Sequence, residues 1–170
     1  MRVLCWANLI LAILAALAPV AHVLELPSKL ALDGPLWLAV QQHLYRGWGP
    51  LLGGPAEIGA LATTLALLVV RRADRRMRGL TLQAAIAYAG MLAVFFVFNA
   101  PVNAAVNRWT ATTLPGDWPA YRLRWETGHA LAALLAAVGL AVLVRAYFVE
   151  ATARRWMPRI DLTQKRSCKT

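Results

Sequence analysis

The chain has 170 residues, 59% of them hydrophobic, and a formal net charge of +10. That apolar fraction excludes an ordinary soluble domain, and the length leaves no room for a second globular unit beside a small membrane domain. The basic surplus has to be explained by a partner or by a topology.

Topology explains it. Of the 18 Lys and Arg, 13 are Arg2, the five arginines of RRADRRMR (71–78), and seven residues from Arg145 onward. The other five, Lys29, Arg46, Arg108, Arg122 and Arg124, fall in the two alternate connections. This positive-inside pattern predicts a multi-pass protein of the cell membrane with both termini and the 71–78 turn cytoplasmic. Nucleic acid is not needed as a partner; the lipid bilayer is, and the basic tail also suits anionic headgroups. Cys5 and Cys168 are far apart and form no C-x-x-C, which argues against thiol–disulfide chemistry.

Four stretches approach the roughly 20 residues that cross a bilayer: 3–24, 56–70 with a lead-in from 51, 80–98 and 127–149. The fold class is therefore all-α, a polytopic four-helix bundle over residues 1–150 with a basic tail at 151–170. The first stretch resembles a signal peptide, with Arg2 before an apolar run and Ala16-Leu17-Ala18 after it. Pro19 would directly follow the cut, so the stretch is taken as the first membrane helix. Pro19 should bend it. His22 and Glu25 come next, three apart on one helical face, before Leu26-Pro27 closes the regular run.

Residues 33–46, DGPLWLAVQQHLYR, begin with Asp33 as a cap and Pro35 in the first turn. Leu36, Trp37, Val40 and Leu44 form an apolar stripe opposite Gln41, Gln42 and Arg46, which predicts a short amphipathic helix lying in the outer interface. His43 borders that stripe as an interface residue. GWGPLLGGP is a turn region, and Glu57 suits the N-terminus of the second span as a helix-dipole partner. In that span, Thr63 and Thr64 are expected to bond back to their own helix carbonyls.

The third span ends in FNAPVNAAVNRW, where Asn99, Asn103 and Asn107 recur every four residues. Pro101 interrupts this stripe and should open backbone carbonyls near it. A loop with Trp109 and Trp118 as interfacial anchors follows. The fourth span opens with YRLRWETGH, placing Arg122, Trp125, Glu126 and His129 three or four apart. His22, Glu25, Glu57, Asn99, Asn103, Glu126 and His129 should thus gather at the outer end of the bundle. No equivalent polar cluster is expected at the inner end.

Three segments, ELPSKLALDGPLWLAVQQHLYR, FNAPVNAAVNRW and RLRWETGHA, stand in an order that resembles the anthrone-oxygenase-like family of small four-helix membrane proteins. The resemblance spans about residues 20–145. It implies oxygenation of a hydrophobic aromatic small molecule, a polycyclic phenolic ketone, with no cofactor. Under it, His129 or His22 is the base that removes an acidic C–H proton, oriented by Glu126 or Glu25. Asn99 and Asn103 hydrogen-bond the developing enolate, Trp125 forms an apolar wall, and Arg122 contributes to ligand binding.

Two other readings of the same residues stand beside it. His22 and His129 could ligate a haem, or a metal together with Glu25 or Glu126; with three histidines and no tight ligand spacing, neither metal nor cofactor is expected. Alternatively the chain is a non-enzymatic membrane module that binds a lipid or protein partner, its polar cluster holding helices together. The topology has its own test. Single cysteines placed in a Cys-free background should react with an impermeant label from outside at Asp117 and only after permeabilisation in the 71–78 turn. The reverse pattern would overturn the orientation.

Overall fold

The computed structural model describes residues 1–156, so the remainder of the expected basic tail, including Cys168, lies outside the described residues. The expected all-α architecture is present, with four helical segments long and apolar enough to cross a membrane: Arg2–Leu24, Gly34–Val70, Arg75–Val106 and Trp118–Thr152. The α-helices are α1 (Arg2–Leu24), the short α2 (Leu26–Leu30) and α3 (Gly34–Ala39), α4 (Gly54–Val70), α5 (Arg75–Val94), α6 (Ala100–Val106) and α7 (Trp118–Trp156), with α2 lying between the first two spans. Three π-helical turns are interposed, at Val40–Leu44, Gly49–Gly53 and Phe95–Asn99.

The spans close into a ring in which α1 packs on α4 and α7, and α5 packs on α4 and α7. Alanines fill the centre: Ala12, Ala15, Ala56, Ala60, Ala84, Ala132 and Ala136 surround Tyr88, Met91 and Leu143. Small residues let helix backbones approach closely, which matters where dispersion replaces the hydrophobic effect between helices. Ile10, Ile13, Val69, Ile86, Leu134 and Phe148 face outward, as a bilayer requires.

The connections follow local chemistry. Asp33 caps α3 by accepting the Leu36 amide at 2.9 Å, as expected. Asp74 does the same for α5, accepting the Arg76 and Met77 amides at 2.9 and 3.1 Å. Pro101 acts on the turn before it. Its ring cannot sit against the carbonyl four residues back, so the helix widens into the Phe95–Asn99 π turn. The Val97 carbonyl, released by that Pro, accepts from Arg124 Nη2 at 2.6 Å.

Two expectations are corrected. The 33–46 helix does not lay Trp37 toward lipid: Trp37 is fully buried against Val102, Val106 and Trp125, while Leu36 and Leu44 are exposed. Gln42 Nε2 instead donates to the carbonyls of Val106 and Trp109 at 2.7 and 2.8 Å, turning the polar face inward. The second correction is at the end that carries the N-terminus and the 71–78 turn, called inner (and the opposite end outer) after the expected topology, which is not apolar. Asn8 Nδ2 donates to Thr64 and Thr63 at 2.8 and 3.0 Å and Tyr147 donates to Asn8 Oδ1 at 2.6 Å. Arg71, expected in a solvated turn, is buried and paired with Glu150 at 2.7 Å. The Thr63 and Thr64 hydroxyls do return to their own helix carbonyls at 2.7 Å, and this leaves them free to accept from Asn8.

At the outer end α7 packs tightly at Gly128, where a Cβ would come within 2.8 Å of Asn99 Cγ and Phe98 Cβ. Gly128→Ala should therefore force α7 away from the Phe95–Asn99 turn, at about 1–3 kcal/mol. Thermal unfolding in detergent micelles should show the loss. A variant as stable as the parent would mean the two segments separate without cost.

Candidate functional site

The outer end of α1 does not stop at Leu26-Pro27. The Glu25 amide donates to Ala21 O and the Lys29 amide to Glu25 O, both at 3.0 Å, so the helical path runs on through α2. Pro27 falls in the first turn of α2, where its missing N–H costs nothing. His22, Glu25 and Lys29 thereby share one face, at spacings of three and four.

Lys29 turns inward. It is 3% exposed, and its Nζ lies 2.7 Å from Glu126 Oε2 on α7. The Nζ also sits 4.9 Å from the Trp125 ring centre and 5.8 Å from that of Tyr45. A buried ammonium needs an opposite charge, and π faces add to its compensation. Arg122 closes this corner: its Nη1 donates to the carbonyls of Lys29, Leu30 and Leu32 at 3.2, 3.4 and 3.0 Å, with the guanidinium 4.7 Å over the Trp118 ring.

Beside the pair lies a cluster of rings. His22, 3% exposed, faces His129 at 4.2 Å between centroids, Tyr45 at 4.6 Å and Trp125 at 4.7 Å. Trp125 meets His129 edge-on at 4.2 Å. His22 Nδ1 is 3.5 Å from Glu25 Oε2, the oxygen that also accepts the Tyr45 hydroxyl at 2.5 Å. Trp125 Nε1 donates to Asn103 Oδ1 at 2.9 Å. An indole N–H is only a donor, so it fixes the Asn103 amide with its NH2 group left over.

These rings form one wall of a cavity of about 900 Å³, toward the upper end of the roughly 300–1,000 Å³ of small-molecule sites. Its polar lining includes His22, His129, Asn103, Gln41 and Glu57. Glu57 has no hydrogen bond or ion pair among the described residues, and the buried Gln41 amide nitrogen likewise has no partner. His43 and Arg46 stand exposed at the rim. Ile58 on α4 and Phe96 in the turn after α5 line the cavity and are 60% and 67% exposed. All three π turns contribute lining residues: Gln41 to His43, then Gly49, Pro50 and Gly53, then Phe95 and Phe96.

Four of the sequence-predicted site residues, His22, His129, Asn103 and Trp125, meet at this cavity. Glu25 stands directly behind His22. Three do not reach it. Glu126 does not orient His129, because Lys29 holds its carboxylate. Asn99 is a helix tie: its Nδ2 donates to the Trp125 carbonyl at 2.9 Å. Arg122 caps the carbonyls at the end of α2 instead of facing a ligand. Sequence reasoning missed Lys29, Tyr45 and Gln41; Glu57, expected in the outer polar group and at the helix start, lines the cavity from the first turn of α4. The spacing from His22 through Glu25 to Lys29 was the available signal. Among the described residues, no three His, Cys, Asp or Glu side chains gather closely enough to hold a metal ion.

No family model, curated protein or solved structure matches this chain.

The buried pair generates a stability test. Lys29→Met should cost about 3–5 kcal/mol, because it strands the Glu126 carboxylate away from water. Adding Glu126→Leu should recover most of that loss. Unfolding curves for the parent, the single and the double variant decide the matter. A single variant of parental stability would show that the pair does not hold α2 to α7.

Proposed function

We propose that the chain is an oxidoreductase of the cell membrane, resembling the anthrone oxygenases, that oxidises a polycyclic phenolic ketone in this cavity. Both termini are cytoplasmic in this reading, and the cavity lies in the outer leaflet. The single observation that carries the proposal is the His22–His129 pair, 4.2 Å apart and open to the cavity, with the Trp125 edge against both rings.

A methylene flanked by two aryl rings and conjugated to a carbonyl is acidic, and an imidazole suffices to remove one of its protons. The charge moves to the ketone oxygen, where the spare Asn103 NH2 is positioned to donate to it. The carbanion then adds dioxygen, forming a C–O bond, and takes up a proton to give a hydroperoxide. Loss of the second methylene proton and cleavage of the O–O bond yield a second carbonyl and one water. The sum is methylene plus dioxygen to ketone plus water, with dioxygen the only oxidant. The exposed apolar side chains of Ile58 and Phe96 at the cavity suit a flat substrate dissolved in lipid.

One observation favours a second reading, a non-catalytic module that holds a lipid. Asn99, Glu126 and Arg122, three of the polar residues nearest the ring cluster, are spent on helix ties. The two readings part at the histidine pair. In nanodiscs with a hydroxylated anthrone, replacing His22 and His129 together by Ala should abolish quinone formation and oxygen uptake while the protein stays folded. Full activity in that variant would sink the oxygenase reading. An inactive parent protein that co-purifies with stoichiometric phospholipid would establish the second.

A further inference from the structure

The base at the cavity wall needs somewhere to send its proton, because the histidine pair is enclosed by Trp125, Tyr45 and Trp48 and has Lys29 nearby. One path leads outward. His22 Nδ1 is buried, has no hydrogen-bond partner among the described residues, and lies 3.5 Å from Glu25 Oε2. The Glu25 side chain is 40% exposed, unlike the 4% of His22, so this carboxylate touches both the site and the water at the membrane face. Tyr45 holds it there: its hydroxyl donates to the same Oε2 at 2.5 Å, and its ring stands edge-on to the His22 ring at 4.6 Å.

We infer that His22, Glu25 and Tyr45 form a proton exit from the cavity, with Glu25 the relay and Tyr45 the positioning residue. The inference rests on the base reading above and extends it to two side chains that do not touch the ligand. An imidazole can take a proton at one ring nitrogen and release another from the second. The substrate C–H proton goes to His22 Nε2, which makes no hydrogen bond among the described residues. The Nδ1 proton passes to Glu25 Oε2 and then to water, leaving the substrate as its enolate and His22 neutral. No electron changes hands in this step, and no bond between heavy atoms is made or broken. The 3.5 Å gap is wider than a working hydrogen bond, as is common before a ligand tightens a site. Lys29 does not compete for the relay, since its ammonium is held by Glu126.

The test separates proton removal from oxygenation. Protein in nanodiscs is incubated with 1,8-dihydroxyanthrone in D2O without oxygen, and deuterium uptake at the methylene is followed alongside quinone formation in air. Glu25→Gln should slow both about tenfold or more at unchanged KM, with a larger solvent isotope effect. Glu25→Asp, or formate added to Glu25→Gln, should restore a large part of the rate. Tyr45→Phe should lower the rate by a smaller factor and leave Tm near the parent value. Parental exchange in Glu25→Gln, or a loss that formate does not relieve and that follows a fall in Tm, would overturn the relay alone. A parent protein that catalyses no exchange would overturn the base reading and the relay together, and the parent control tells the two failures apart.

Discussion

The outer half of the molecule depends on one buried ion pair, Lys29 with Glu126. Lys29 comes from a five-residue helix that would otherwise have little reason to fold back. Glu126 comes from the opening turns of the longest helix in the chain. Their contact fixes α2 against α7, and it sets the depth at which His22 and Glu25 face Trp125 and His129. A pair so far from water is weak as a source of net stability, because desolvation offsets most of its attraction. Its value is in register. Sliding α2 by one turn would leave two charges unpaired, which is a far larger penalty than any hydrophobic mismatch nearby.

Around that pair, hydrogen bonds are directed in one sense. Asn99 spends its NH2 on the Trp125 carbonyl, which pins the backbone, and Asn103 accepts the Trp125 indole N–H, which pins the ring. One tryptophan is thus held at both ends by a single helical stripe. The π turn between α5 and α6 contributes to this, since it ends at Asn99, two residues before Pro101. A proline in this position reshapes the helix, and the reshaped turn also supplies Phe95 and Phe96 to the cavity.

Much of this was legible in the residues, and the failures have physical causes. The four spans, the Asp33 cap and the meeting of His22 with His129 follow from apolar runs and helical spacing. Pro27 hid Lys29: a proline reads as a stop, but at the first turn of a new helix it permits continuation, so His22, Glu25 and Lys29 stay on one face. Asn99 and Asn103 sit on the same stripe, yet only one reaches the cavity, because π turns and Pro101 rotate the face they share. Positive-inside counting treated Arg71 as a solvated loop charge. It could not show that Glu150, 79 residues away, draws it into the bundle.

The inner and outer polar clusters use similar side chains, and comparing them shows what makes one of them a candidate site. At the inner end, Asn8 places both ends of its amide, donating to Thr63 and Thr64 and accepting from Tyr147. Arg71 is engaged with Glu150 and Thr81. Apart from Arg71 Nε, which has no partner among the described residues, that cluster closes on itself, as an interhelical tie in lipid should, where a stranded polar group has no water to turn to. At the outer end, the His129 ring nitrogens, Glu57, the Asn103 NH2 and the Gln41 amide nitrogen have no hydrogen-bond partner among the described residues, and each of these residues lines the same space. Unsatisfied groups at membrane depth are costly unless something else occupies that space. It is this surplus of unused donors and acceptors, more than the presence of polar residues, that makes the outer cavity and not the inner cluster the candidate site.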